Sequence, residues 1–232
     1  RSAKSISLSP EMKTLLDLKS DTATPQEIMK AILKLPVELF WLGGIGTYFK
    51  APNEENSRVG DRANDAIRVS SDEMRMQVVG EGANLGLTQA GRIAFALNGG
   101  RINTDAIDNS AGVDSSDHEV NIKILLSAAI ENGELKASAR NALLKKMTED
   151  VARHVLVHNY DQTRALSLMQ VTAAQDIDAY ARFMSALEGQ GRLDRLVEGL
   201  PDEKVIATRK TMAQGLTRPE LSVLLAYAKM HI

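Results

Sequence analysis

The chain has 232 residues, with 44% hydrophobic residues, 25% charged residues and a formal net charge of −2, which excludes a disordered chain. The near-neutral charge argues against nucleic acid or an anionic membrane as the main partner, and no apolar run approaches the length of a membrane span. Cysteine is absent, which excludes disulfides and Cys-ligated zinc and fits a cytoplasmic location.

Both ends of the sequence lead us to expect a piece of a longer polypeptide. The sequence begins at Arg1 without a methionine or a signal peptide. It ends at Ile232 within a helical pattern that has no Gly or Asn stop signal.

Two helices with clear capping signals are predicted near the amino terminus. Ser9 is followed by Pro10, the order expected at a cap and at the first helical position. Thr24 lies three residues before a glutamate, which is the spacing of a capping box, and this helix should run to about Leu35 before a proline ends it.

Three short apolar runs predict buried strands of an α/β sheet, since each contains β-branched or aromatic residues and leads to Gly- or Asn-rich turns. These runs are residues 37–42, 76–79 and 102–107. Residues 51–74 are polar and predict a surface excursion with a short helix near Arg62–Val69. Thr88–Leu97 has helical spacing. Ligands bind at the carboxyl ends of strands in open sheets, so the loops there are the candidate site.

After Asp117 the apolar spacing is helical throughout and no further strand is predicted. The predicted helices are residues 117–130, 137–156, 160–187 with a break near 173–176, 193–200, 202–213 and 217–232. The predicted fold class is therefore α/β followed by all-α, with the two parts at residues 1–125 and 126–232.

Gly80, Gly82 and Gly86 follow a predicted strand and precede a predicted helix, a spacing similar to a dinucleotide-binding loop. Asp105 or Asp108 would then contact a ribose. This interpretation is disfavoured, because Glu81 would place a carboxylate beside the phosphates.

The alternative is that the loops face the reactive end of a ligand. Asn84 and Asn109 each follow a strand, and their amides suit a neutral carboxamide such as nicotinamide. Ser116 stands at a predicted helix start, where an anion such as a carboxylate is favoured. The competing interpretations are turn residues for both asparagines, with Asn84 in the left-handed conformation, and a plain helix cap for Ser116.

His154 and His158 have a spacing that could ligate a metal on one helix face, but no convincing third ligand is visible in the sequence. We therefore predict no metal site. His118 could orient a substrate or could simply lie on the first turn of a helix.

Two segments resemble the glutamate dehydrogenase superfamily, namely Glu81-Gly82-Ala83-Asn84 with Thr88, and Asn109 through Ser116. Further segments are similar to the large, multidomain bacterial NAD-specific glutamate dehydrogenases: residues 41–48, 60–65, 108–121 and 215–221. The resemblance covers essentially the whole chain.

The resemblance implies that residues 1–125 hold the last strands of a Rossmann-like coenzyme domain and that residues 126–232 form a helical C-terminal domain. It implies oxidative deamination of L-glutamate to 2-oxoglutarate and ammonia with NAD as cofactor. The residues expected at the cofactor are Gly82, Ala83, Asn84 and Asn109. Val113 is expected to line the substrate pocket, and Ser116 to contact the side-chain carboxylate of glutamate.

The resemblance also implies that the catalytic lysine, the catalytic aspartate and the glycine fingerprint precede residue 1. No catalytic residue is therefore expected in this chain, and the chain alone is predicted to be inactive. A partial sheet leaves an open edge, so we expect association with the remainder of the same polypeptide or a homo-oligomer.

A rival hypothesis is a non-catalytic interaction or regulatory module, in which the Gly- and Asn-rich loops are only turns. Convergence of Asn84, Asn109 and Ser116 on one pocket would favour the enzyme, and their dispersal over the surface would favour the module.

Overall fold

The structure is a computed structural model that describes residues 3–231, and it combines small β-sheets with a large helical part. At the amino-terminal end, β1 (Ile6–Ser7) pairs antiparallel with β2 (Thr22–Ala23), and the helices α1 (Pro10–Leu16) and α2 (Pro25–Ile32) follow each strand. Their apolar side chains form a separate small core of Leu8, Leu16, Ala23 and Ile28.

Both predicted helix starts are confirmed. The Ser9 hydroxyl accepts a hydrogen bond from the Met12 N–H at 3.2 Å, and Thr24 and Glu27 form the reciprocal capping box. The second helix ends at Ile32 rather than Leu35, so its last turn unwinds before the proline.

The main sheet contains β3 (Leu39–Leu42) and β6 (Val78–Glu81), which run parallel with Leu39 opposite Val78. These are two of the three predicted strands, the second of them shifted by two residues. The third prediction, a strand over residues 102–107, is wrong. Only Arg101 bridges β6, and the chain then turns into the short helix α5 (Asp105–Asp108).

The polar excursion is exposed or partly exposed over residues 52–66, as predicted, whereas residues 67–69 are buried and the helix expected near Arg62–Val69 is only a 3-10 turn. The excursion contains α3 (Asn56–Val59) and this 3-10 turn at Arg62–Asn64, and it lies between β4 (Phe49–Lys50) and β5 (Val69–Ser70), which pair in parallel. Phe49 and Val69 are fully buried. The excursion is fixed to β4 by the buried Arg68, whose Nε donates to the Thr47 carbonyl at 2.9 Å.

The helix α4 (Gln89–Leu97) is confirmed, with the Thr88 hydroxyl accepting from the Gly91 N–H at 3.0 Å as its cap. The α/β core beneath it holds Leu33, Leu42, Phe49, Val69, Met76, Val79, Leu87, Phe95 and Ile102.

Residues 114–231 contain no strand, as predicted. A π-helical turn at Ser110–Asp114 leads into α6 (Ser115–Glu131), and a 3-10 turn at Ala137–Ala139 precedes α7. The remaining helices are α7 (Arg140–Thr172), α8 (Ile177–Gly189), α9 (Arg195–Glu198), α10 (Glu203–Thr211) and α11 (Arg218–His231). The predicted interruption between residues 156 and 160 is wrong, since α7 is continuous over 33 residues, whereas the break near 173–176 is confirmed.

The helical core is formed mainly by α7, α8 and α11, with Leu166, Met184, Leu187, Leu221 and Leu224 almost completely buried. Ile107 of α5 belongs to the same cluster. Gln89 of α4 and the Pro219 carbonyl of α11 are also in contact, at 3.5 Å. The division into parts 1–125 and 126–232 stays a prediction, and the observed contacts tie the sheet region to the helices.

Candidate functional site

Gly80 in β6 and Gly82 in the loop that follows make room for an aromatic ring. An added Cβ at Gly80 or Gly82 would lie 2.5 or 2.4 Å from the ring atoms of Trp41, on the neighbouring strand β3. An added Cβ at Gly86 would lie 2.4 Å from the Leu42 side chain. None of these glycines has a positive φ. Close packing therefore accounts for their spacing without a phosphate ligand.

A buried ion pair fixes the end of β6 and the loop that follows it. Glu81 is fully buried, and its two carboxylate oxygens accept from Arg92 Nε at 2.7 Å and Arg92 Nη2 at 2.9 Å. Glu81 Oε1 also accepts from the Leu87 N–H at 3.1 Å. Desolvation raises the pKa of Glu81, and Arg92 opposes that rise. Glu81 thus faces the interior, away from any ligand over the loop.

The same loop is held from the other side by the two acidic residues of α5. Asp108 Oδ2 accepts from the Glu81 N–H at 3.1 Å, and Asp105 Oδ2 accepts from the Leu85 N–H at 2.7 Å. Burial raises the pKa of Asp108. These carboxylates are occupied by backbone amides, which leaves the ribose role considered for them without support.

Leu85, rather than Asn84, has the left-handed backbone conformation, with φ of 59°. The competing interpretation of Asn84 as a left-handed turn residue is therefore wrong. An exposed leucine in this region is uncommon, because its Cβ crowds the backbone. Its amide bond to Asp105 helps to hold the conformation.

Asn84 and Asn109 meet in space, although 25 residues separate them. Asn109 Nδ2 donates to Asn84 Oδ1 at 2.5 Å, and Asn109 Oδ1 accepts from the Gly112 N–H at 3.1 Å. The bond from Gly112 orients the Asn109 amide, because it holds Oδ1 as the acceptor and leaves Nδ2 to donate to Asn84. Gly82 and Ala83 immediately precede Asn84 on the same loop.

Val113 and Ser116 lie on the segment that continues from Asn109. Val113 is in the π-helical turn and is 38% exposed, and Ser116 is exposed in the first turn of α6. The interpretation of Ser116 as a helix cap is wrong, since α6 starts at Ser115 directly after the π turn. Among the described hydrogen bonds, none joins Ser116 to either asparagine. The structure therefore brings the asparagines together and leaves Ser116 open to a ligand.

The clearest clefts of the described chain lie elsewhere. They have volumes of about 350 to 600 Å³, and none of them is lined by Gly82, Ala83, Asn84, Asn109, Val113 or Ser116. Of the predicted residues, Asn84, Val113 and Ser116 are exposed, Gly82 and Asn109 are partly exposed, and Ala83 is buried in the loop after β6. They form one open face rather than an enclosed site.

Sequence reasoning missed one cluster beside this surface. Asp114 is approached by His118 of α6 and His158 of α7, with each ring nitrogen facing a carboxylate oxygen. The four-residue spacing of Asp114 and His118 was visible in the sequence. The contact to His158 spans 44 residues and had no local signal.

Comparison with known proteins identifies the family. Residues 1–169 match the family model described as bacterial NAD-glutamate dehydrogenase, catalytic domain. The chain belongs to this family. The match includes all six predicted site residues and the Asp114 cluster.

Relatives of this chain align with essentially its whole length. The NAD-specific glutamate dehydrogenases of Pseudomonas aeruginosa, Halomonas elongata and Mycobacterium tuberculosis are 53%, 49% and 45% identical to it over 232, 229 and 236 aligned residues. The alignments cover 99–100% of this chain, which spans only 14% of the length of each relative. Within residues 3–231, no helix has the length and apolar character needed to cross a membrane.

Proposed function

We propose that the chain forms part of an NAD-dependent glutamate dehydrogenase that converts L-glutamate to 2-oxoglutarate and ammonia. The observation that carries the proposal is the Asn84–Asn109 pair, which is located at the carboxyl end of a parallel strand in a chain of this family. Ligands of open α/β sheets bind at such strand ends.

In this proposal the residues after β6 form the cofactor side of the site. The Gly82–Ala83 backbone and the amides of Asn84 and Asn109 lie against the nicotinamide end of NAD, whose carboxamide needs both a donor and an acceptor. When bound, NAD accepts hydride from the substrate. These four residues orient the nicotinamide ring. They can do so because the buried Glu81–Arg92 ion pair limits the motion of the loop.

The substrate side is assigned to the segment that follows Asn109. Val113 offers an apolar contact to the methylenes of glutamate. The Ser116 hydroxyl, exposed in the first turn of α6, donates to the side-chain carboxylate of glutamate. No base is assigned in this chain, so we expect the catalytic lysine and aspartate elsewhere in the same polypeptide. We also expect the isolated chain to be inactive.

The partial Rossmann-like arrangement belongs to this proposal. Within the described residues β3 pairs only with β6, and Leu39 and Trp41 on β3 are more than half exposed. The remainder of the polypeptide is the partner that would extend the sheet and cover these side chains. A homo-oligomer and a cytoplasmic location stay predictions.

The test is glutamate-dependent NAD reduction by the full-length protein that carries these residues. Replacing Ser116 by alanine removes one hydrogen bond to a charged group, worth about 1.5–3 kcal/mol, so kcat/KM for glutamate should fall about 10- to 150-fold. KM for NAD should stay unchanged. The neighbouring Ser115→Ala is the matched control and should be close to wild type.

Two results would contradict the proposal at different levels. If the full-length protein is active and Ser116→Ala leaves kcat/KM for glutamate unchanged, Ser116 does not contact the substrate, but the proposed activity stands. No glutamate activity in the full-length protein would favour the interaction module instead. That alternative has two supporting observations. Asn84, Asn109 and Ser116 line none of the clefts described above. Large apolar side chains are also exposed on α6 and α7, namely Ile124, Leu125, Leu156 and Val171.

A further inference from the structure

A cluster of three potential metal ligands joins the π-helical turn to α7. His118 Nδ1 lies 3.2 Å from Asp114 Oδ1, and His158 Nδ1 lies 3.1 Å from Asp114 Oδ2. One ligand atom from each of the three residues falls within 4.8 Å of the others. His118 Nδ1 also lies 2.9 Å from the carbonyl oxygen of Asp114.

The spacing of these atoms is close to that of a coordination sphere. Zinc bonds of about 2.0–2.2 Å at tetrahedral angles separate two ligand atoms by about 3.4 Å. The two nitrogen–oxygen distances, 3.2 Å to Oδ1 and 3.1 Å to Oδ2, therefore need to open only slightly to admit an ion between the carboxylate and the two imidazoles, whose ring centroids are 5.4 Å apart. Small side-chain rotations achieve this, since neither histidine is fully buried.

The backbone that carries the ligands is fixed where α7 meets the π-helical turn. Asn159, next to His158 on α7, donates from Nδ2 to the Ile107 carbonyl at 2.9 Å and to the Ser110 hydroxyl at 2.6 Å. These bonds hold α7 against the turn that contains Asp114. The side chains of Asp114 and His118 are 24% exposed and that of His158 is 45% exposed, so an ion and a completing water can reach them.

Contrary to the expectation of no metal site from the sequence, we propose that Asp114, His118 and His158 bind one zinc-type transition-metal dication, with water in the remaining position. Two imidazoles and one carboxylate suit zinc and its neighbours, whereas calcium and magnesium prefer oxygen ligands alone. The ion would link α6 and α7 across the turn that carries Val113, and its binding does not depend on the proposed glutamate activity.

His154 provides the matched control. Its ring stacks on that of His118, with centroids 6.3 Å apart, and it lies one helical turn before His158. It does not belong to the group of three ligands. Replacing it removes an imidazole from the same surface and leaves the proposed ligands in place.

The experiment measures Zn²⁺ bound to the full-length protein after chelator treatment, by equilibrium dialysis and elemental analysis. His158→Asn and His118→Asn should each lose one equivalent per chain, or weaken that site at least about 100-fold, beyond the ~10–100-fold typical of an outer-shell change. His154→Asn should keep the equivalent. Far-UV circular dichroism checks that each variant is folded.

Equal zinc content in wild type, His158→Asn and His118→Asn would overturn the proposal and leave Asp114 as a carboxylate bridged by two imidazoles. Equal loss in all three histidine variants would overturn it as well, because it would indicate adsorption to surface histidines rather than a three-ligand site.

Discussion

Replacing Arg92 with methionine should strongly destabilise the fold, because it leaves the Glu81 carboxylate buried without its cation. Glu81 has no exposed surface, and Arg92 is 4% exposed. Two hydrogen bonds of 2.7 and 2.9 Å join them. Methionine retains most of the aliphatic stem, so the change isolates the loss of charge from the loss of packing.

The expected cost is about 3–5 kcal/mol, the range for removing one partner of a buried ion pair. For a domain of this size that corresponds to a fall of roughly 6–20 °C in Tm. The substitution also removes the 3.2 Å contact between Arg92 Nη2 and Asp105 Oδ1. The Leu87 amide still donates to Glu81, which limits the loss.

Urea unfolding of the chain, followed by the fluorescence of Trp41, provides the assay. Trp41 is the only tryptophan, and it packs on the glycines of the loop above the ion pair. The double variant Glu81→Gln/Arg92→Met removes the stranded charge and should recover at least half of the lost stability. A loss below about 1 kcal/mol for Arg92→Met, or no recovery in the double variant, would refute the reasoning.

The same reasoning fixes the direction of the pH dependence. Burial raises the pKa of Glu81 above its ordinary value of 4.5, so its contribution to stability is fully present below pH 4.5 and is lost as pH rises through the folded pKa. Without Arg92 that pKa rises further. The stability difference between Arg92→Met and wild type should therefore be smaller at pH 5 than at pH 8.

Three further predictions concern local features. Gly82→Ala forces a Cβ to 2.4 Å from Trp41 and should cost about 1–3 kcal/mol in urea unfolding, whereas Gly189→Ala, with open space around it, should be neutral or stabilising by up to about 1 kcal/mol. Asp108→Asn should flatten the loss of stability as pH rises above 3.8, because burial raises the pKa of Asp108; unchanged pH profiles would contradict this. Thr24→Ala removes a capping box and should cost about 1 kcal/mol by the same assay.

Features controlled by neighbouring residues could be predicted from the sequence. The Ser9 and Thr24 caps, α4 and the β3 strand depend on side chains within a few residues of each other, so their patterns were sufficient. The family motif was equally readable, since a resemblance needs only residue identities and their order.

Other features were decided by contacts between distant segments. The sequence predicts a strand over residues 102–107, but the Asp108 carboxylate accepts from the last residue of β6 and the Asp105 carboxylate from the loop after it, which favours a helical turn. The glycine spacing is similar to that of a phosphate loop, an interpretation already disfavoured by Glu81, and its physical cause is Trp41, about 40 residues earlier, whose ring packs on Gly80 and Gly82.

The sequence by itself thus determined the capped helix starts, most of the helices and the family, because capping, periodicity and motif are properties of consecutive residues. The tertiary structure alone decided that Asn84 meets Asn109 and that His158 reaches Asp114. These contacts depend on how the parallel strands and the long helix α7 pack together. Such packing minimises exposed apolar surface over the whole chain and has no local signature.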